Sequence, residues 1–334
     1  MSLMRAAVLA NFVDVARQLG LKPEEQLRAV GLGTALIGNP DRLISSDAVV
    51  QLLEKTAAAS GCDTIGLRMA EPRPMSQFGV VGLLLSQQKS LRDVLQMAIR
   101  YLPLMNESLA IMLESQAGQT LLREEILTDA NLPKHQVAEL AMAANVKVFR
   151  STVGADWRPV RVYFRHAAPR SLDEHWRVFD CPCQFDSDLN AMAFPTRDLD
   201  RPNPNADSRM AEYALGFVET LREDNATSIA TAVRRQIYLL LPLGRATIKE
   251  VARSLGCSVR KLQIDLEKAG AAFGELLDAA RQERVRLYLE NPNFDLGHVA
   301  SLLGYNHQSS FSRWFSGCFG ESPASWRKCR GGAV

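Results

Sequence analysis

The 334-residue sequence predicts a mixed architecture: an α+β amino-terminal domain followed by an all-α domain with two helix-turn-helix units. Three observations predict it. The pattern Thr247-Ile248-Lys249-Glu250-Val251-Ala252-Arg253-Ser254-Leu255-Gly256 returns 48 residues later as Asp295-Leu296-Gly297-His298-Val299-Ala300-Ser301-Leu302-Leu303-Gly304. Upstream, apolar residues first recur with helical spacing and then, from about residue 109, alternate as in strands. Between the two regions, Arg201-Pro202-Asn203-Pro204-Asn205 places two prolines in a polar run that no helix continues through.

A chain of this length suggests about two domains, and 47% hydrophobic with 23% charged residues is ordinary globular composition. No apolar run approaches the roughly 18 residues of a membrane span; the longest, residues 78–85, stops at Ser86. Met4-Arg5-Ala6 leads into a helical pattern rather than a secretory leader. Six cysteines without regular spacing imply reduced thiols and a cytoplasmic protein.

Helical patterns cover residues 5–19, 23–30, 46–59, 77–86 and 90–105. Pro23 suits a first helical turn, and Glu24-Glu25 favours the positive end of the helix dipole. In residues 46–59, Ser45 or Ser46 caps, and Val49, Leu52, Leu53 and Thr56 form the inner stripe. Residues 109–114 and 120–126, parted by Gly118, read as a hairpin. Residues 133–151 then read as a helix with Val137, Leu140, Ala144 and Val148 inward, and residues 160–166 as a strand. A helix at 171–178 precedes two strand-like pieces, 183–185 and 191–194.

Past the proline run, Asp207 or Ser208 caps a helix to about residue 222, with Met210, Tyr213, Phe217 and Leu221 three and four apart. That stripe has two readings, packing on its own domain and the seam of a homodimer. The expected division is thus a regulatory domain over 4–200, a linker and connecting helix over 201–227, and a helical domain over 228–330.

In the repeat, a cap-type residue opens each copy (Thr247, Asp295), and Glu250 three residues after Thr247 completes a capping box. Two helices crossing steeply need a small residue at the crossing, here Ala252 and Ala300, and a permissive one at the turn, here Gly256 and Gly304. A second helix follows in each copy. One starts at Ser258 with Leu262 and Leu266 inward and Gly270 as its stop; the other starts at His307 with Phe311 and Phe315 inward and Gly320 after it. The units therefore span about 247–269 and 295–319.

With Arg260, Phe273, Leu276, Arg281, Leu287, Tyr305, Ser309, Arg313, Ser322-Pro323 and Arg327 added to these positions, residues 244–328 resemble the DNA-binding domain of AraC/XylS-type transcriptional regulators. Residues 5–200 are similar to the arabinose-binding-type N-terminal domain of one branch of that family, found in regulators of ornithine use and of virulence. This likeness runs through Gly79, Cys181-Pro182-Cys183-Gln184-Phe185 and the stretch 190–199. The resemblance implies that a long helix over residues 273–290 joins the two units. It further implies a transcription regulator that binds double-stranded DNA, tends toward activation, dimerises, answers to a small effector, and contacts RNA polymerase.

Carried over position by position, the first recognition helix offers Ser258, Arg260, Lys261 and Gln263 to DNA, and the second His307, Gln308, Ser309, Ser312 and Arg313. Arg suits guanine or phosphate, Gln suits adenine, and Ser with helix N-termini suits phosphate. For Arg260 and Arg313 the competing reading is an ion pair inside the domain. Where the family carries basic residues, this chain has Ile264 and Asp265 on the first helix and Ser316-Gly317 on the second. Weak binding by a single chain is the expected consequence.

Charge distribution agrees in sign. Residues 244–334 hold 13 Lys and Arg against 9 Asp and Glu, which leaves 26 against 28 upstream. No Gly-rich phosphate loop, nucleophile elbow or His-Glu helix motif is found, and Glu124-Glu125 on a strand would face opposite ways, so no enzyme and no cofactor is expected. Cys181 and Cys183 with His175 lack the second ligand pair of a structural zinc site, so no metal is expected either. The competing functional reading is a regulator with impaired DNA contacts that acts through protein partners.

Overall fold

The computed structural model describes residues 2–71, 75–128, 132–224 and 228–330. Contacts divide the chain into two units, Met1–Ala226 and Thr227–Val334.

The first unit opens not with the expected helix over 5–19 but with a strand, β1 (Leu3–Arg5), a single 3-10 turn and a short helix, α1 (Phe12–Gln18). The break lies at Asn11, which takes the left-handed conformation at φ 69° and donates its side-chain amide to the Met69 carbonyl at 3.1 Å. Asn tolerates that region better than other non-glycine residues. After α2 (Pro23–Arg28), β2 (Leu43–Ser45) pairs antiparallel with β1. Helix α3 (Ser46–Ser60) is capped by Ser45, whose hydroxyl accepts from the Ala48 N–H. Next comes α4 (Ile65–Ala70), which has no counterpart among the expected elements. Ile65, Gly66, Leu67, Met69 and Ala70 are all buried, so this helix has little polar face to produce a periodic signal.

Helices α5 (Gly79–Ser86) and α6 (Leu91–Met105) follow, then the hairpin β3 (Leu109–Gln116) and β4 (Gln119–Ile126), turned by Ala117 and Gly118 in the left-handed region. Helix α7 (His135–Val153) is the central element and packs against α3, α4, β4 and β7. At Gly66 its approach to α4 is so close that a Cβ would stand 2.0 Å from the Gln136 carbonyl oxygen. Strand β5 (Arg161–Tyr163), helix α8 (Asp173–Phe179), and strands β6 (Cys183–Gln184) and β7 (Asn190–Pro195) complete a five-stranded sheet of order β3-β4-β7-β5-β6, antiparallel except between β5 and β6.

The stretch expected to be linker belongs to this first unit. Pro202 bridges to Ser90, and the Asn203 amide donates to the carbonyls of Ser86 and Gln88 at 2.8 and 2.9 Å. Helix α9 (Ser208–Asp224) then packs on α5 and α6 through Ala214 and Val218. Its seat is fixed by Glu219, which accepts from the Tyr101 hydroxyl and, at 2.7 Å, from Arg100. Met210, Tyr213 and Phe217 face outward. Residues 225–227, the end of the expected linker, lie outside the described residues.

The second unit is helical in every assigned element: α10 (Ile229–Leu240), α11 (Ile248–Ser254), α12 (Val259–Lys268), α13 (Phe273–Glu290), α14 (Leu296–Leu302), α15 (Gln308–Phe319) and α16 (Pro323–Arg330). Glu283 on α13 ties it to α10 by accepting from Arg234 at 2.9 Å and from the Tyr238 hydroxyl. Among the described residues no helix is long and apolar enough to cross a membrane.

Candidate nucleic-acid interface

The two repeats build the same local structure. In the first, the Thr247 hydroxyl accepts from the Glu250 N–H, and in the second the Asp295 carboxylate accepts from the His298 N–H. Their turns carry matching hydrogen bonds: Gly256 N–H to Arg253 O and Cys257 N–H to Ala252 O at 3.1 and 3.0 Å, against Gly304 N–H to Ser301 O and Tyr305 N–H to Ala300 O at 2.9 Å each. This is the paired closure of a helix C-terminus that needs a left-handed residue, and the two glycines sit at φ 67° and 72°. Val251, Ala252, Leu262 and Leu266 in one copy and Val299, Ala300, Phe311 and Phe315 in the other are all buried. Burying each of the larger side chains stabilises by about 1.5–3 kcal/mol, so the packing holds both outer helices in place.

One detail differs from expectation. The capping box at α11 is only half formed, because the Glu250 carboxylate turns to Arg245 at 2.8 Å and Arg253 at 2.7 Å. The hydrogen bond from Arg245, followed by the charge of Arg253, holds that carboxyl below its usual range.

On α12, Ser258 caps the helix by accepting from the Lys261 N–H, which still leaves its hydroxyl proton to give. Ser258, Arg260, Lys261 and Gln263 are exposed, as are His307, Gln308, Ser309 and Arg313 on or at the start of α15; Ser312 is half-buried. Thus every residue expected to face DNA lies on the outer side of its helix or at its margin. Among the described residues neither Arg260 nor Arg313 has an acidic partner within 4.0 Å, so the competing ion-pair reading is not realised there. Lys261 is different, since its ammonium lies 3.1 Å from the Asp265 carboxylate.

The residues that fix the second unit against the connecting helix have structural roles. Arg281 on α13 donates its Nε–H to the Leu303 carbonyl at 3.0 Å and lies over the Tyr305 ring at 4.3 Å. It therefore locks α13 onto the turn of the second repeat. Burial pushes the Tyr305 phenol up to about 12. Arg327 does the same for α16 by donating to the Leu289 carbonyl at 3.1 Å. No spacing rule in the sequence links Arg281 to Tyr305, because they meet only through the fold.

In the first unit, His175 Nε2 is hydrogen-bonded to the Glu139 carboxyl Oε1 at 2.8 Å. All six cysteines are free. Among the described residues no group of three or more His, Cys, Asp and Glu could hold a metal ion.

Residues 20–203 match the family described as the arabinose-binding domain of AraC transcription regulator, N-terminal, and residues 251–329 match a helix-turn-helix domain family. Over 328 residues the chain is 26% identical to the HTH-type transcriptional regulator VirS of Mycobacterium tuberculosis, with 98% of this chain and 96% of that one covered. It is 24% identical over 330 residues to the ornithine utilization regulator of Pseudomonas aeruginosa, again covering 98% and 96%. Among solved structures, the transcriptional regulator CdpR of Pseudomonas aeruginosa covers 93% of this chain and 97% of its own at 21% identity, with a TM-score of 0.46.

Proposed function

We propose, for a chain that belongs to the AraC family of transcription regulators, that it is a sequence-specific activator whose outer helices α12 and α15 enter consecutive major grooves on one face of the duplex. Family membership itself makes it a DNA-binding transcriptional regulator rather than an enzyme. The observation that carries the finer reading is the duplicated cap and turn, each copy ending in an exposed helix. Helix α13 joins the copies, and its residues span roughly 27 Å at about 1.5 Å each, near the roughly 34 Å of one duplex turn.

In this reading Arg260 and Arg313 take guanine edges or phosphates, and Gln263 and Gln308 take adenine edges. Ser258, Ser309 and Ser312 take phosphates with the help of the helix N-termini, while Lys261 adds charge and His307 a ring hydrogen bond at the rim. A homodimer forms through α9, where Tyr213 is 81% and Phe217 59% exposed. A small apolar or amphipathic effector in the first unit shifts the arrangement a dimer presents, and the bound protein, in the cytoplasm, contacts RNA polymerase.

Retardation of DNA from the gene's own upstream region, titrated with salt, tests this. Saturable binding is expected, with a log–log slope shallower than the roughly −7 of a protein making about eight phosphate contacts; a slope that steep contradicts the weak-contact reading. The second reading, a regulator acting through protein partners, is favoured by the pairing of Lys261 with Asp265 and by the uncharged Ile264, Ser316 and Gly317. Failure to retard any DNA at low salt, with an intact fold, would select it.

A further inference from the structure

Between β1, α5, α6, α7 and the β3–β4 hairpin, the first unit contains a cavity of about 150 Å³. Aliphatic side chains dominate its wall, among them Leu102, Ile111, Ile126 and Leu140. Of the polar groups there, most are satisfied by the protein. Asn106 Oδ1 accepts from the Ser108 N–H and hydroxyl at 2.8 and 2.7 Å, and the Arg5 guanidinium is paired with Asp41. One oxygen is not. Gln77 Oε1, in the wall, is buried without a hydrogen-bond partner. The amide of Asn145, another wall residue, is taken up by Glu124 Oε1 and by the Ala141 carbonyl.

An acceptor held away from water without a donor is unfavourable, and a ligand that brings the donor removes that cost. We propose that this cavity is the effector site and that it takes a small uncharged molecule with an apolar body about the size of a benzene ring and one O–H or N–H donor. The donor meets the Gln77 oxygen. The proposal rests on the effector-controlled reading above.

Size and charge narrow the ligand class. A dry apolar cavity of about 150 Å³ admits benzene in an engineered protein. A carboxylate would set its oxygens against the Gln77 acceptor, and a full cation would share the wall with the Arg5 guanidinium. Burial raises the Glu124 carboxyl to about 8, so at neutral pH it is mostly protonated and asks for no counter-charge.

The same wall reaches the outward-facing helix. Phe78, Leu85, Ala98, Met105 and Val148 line the cavity and also belong to the apolar cluster on which Ala214 and Val218 of α9 rest. A ligand that repacks those side chains therefore bears on the helix that presents Tyr213 and Phe217.

Calorimetric titration of the full chain with phenol, toluene and benzoate tests the site. Phenol is expected to bind saturably, toluene at least tenfold more weakly, and benzoate not at all. Ala144→Trp, which fills the cavity, should abolish phenol binding, and Gln77→Leu should cut the preference for phenol over toluene to under threefold. Should Ala144→Trp unfold the chain, Gln77→Leu carries the test alone. Toluene binding as tightly as phenol, benzoate binding more tightly than phenol, an unchanged preference in Gln77→Leu, or no saturable phenol binding overturns the proposal. DNA retardation read alongside separates the two levels. Retardation that ignores phenol despite saturable binding overturns effector control and leaves the site; retardation that answers to another small molecule while phenol fails to bind overturns the site alone.

Discussion

On α12 the Lys261 ammonium stands 3.1 Å from the Asp265 carboxylate, four residues further along the same exposed face. With the base N-terminal to the acid this is the weaker orientation of a helical pair, worth a few tenths of a kcal/mol. Its larger effect is to hold one positive charge away from phosphate. Asp265→Asn should therefore leave stability within about 0.5 kcal/mol of the parent. It should steepen the log–log salt slope of DNA binding by about 0.9 and tighten binding several-fold at about 0.15 M salt. Fluorescence anisotropy across salt concentrations reads both, and an unchanged slope would show that Lys261 does not approach the backbone.

Gly317 offers a second handle on α15. Its φ is not positive, and a Cβ there would meet no atom within 4 Å, so nothing in the fold requires glycine. Gly317→Ala should raise the unfolding free energy by about 0.8–1 kcal/mol through helix propensity alone. Gly317→Lys should keep most of that gain and add one phosphate contact. Denaturant midpoints compared with salt slopes separate the two contributions; a Lys variant as weak on DNA as Ala would place this turn away from the duplex.

The parts of this structure that were legible in the sequence are those set by neighbours in the chain. Thr247, Ser258 and Asp295 cap, and Gly256, Gly270, Gly304 and Gly320 end helices in the left-handed region, because cap and turn chemistry depends on residues a few positions apart. What escaped depends on distant partners. Strand β1 finds β2 about forty residues on, α4 is buried nearly all round, and Gln77 and Asn145 come to line one cavity only after folding. On helix α9 Ala214 and Val218 face the core while Met210, Tyr213 and Phe217 face out, so of the two readings of that stripe the one that packs it on its own domain fails.

That outward face carries the dimer prediction. Because Tyr213 and Phe217 are exposed within the chain, the double variant Tyr213→Asp with Phe217→Asp should fold as stably as the parent, within about 0.5 kcal/mol. Sedimentation velocity should show a parental dimer and a variant monomer, and retardation of upstream DNA should weaken at least tenfold in the variant. A variant that stays dimeric would move the interface elsewhere.

The last prediction concerns Glu124, whose carboxyl burial raises to about 8 from an ordinary value near 4.5. Between those values the folded chain holds a proton that the unfolded chain releases, so this group's contribution to stability falls as pH rises through the window and levels off above it. Glu139 and Glu54 are raised by burial too and act in the same direction, whereas burial drives His166 down to about 4 and acts oppositely below about 6.5. Net stability against pH therefore mixes several groups, and the difference between parent and variant isolates one. Glu124→Gln keeps an acceptor for the Asn145 amide and removes the titration. Its stability relative to the parent should climb from pH 5 to pH 8 by a few kcal/mol, measured by urea unfolding at each pH. A difference that stays flat with pH would mean that Glu124 titrates near its solution value and is better solvated than its 1% exposure implies.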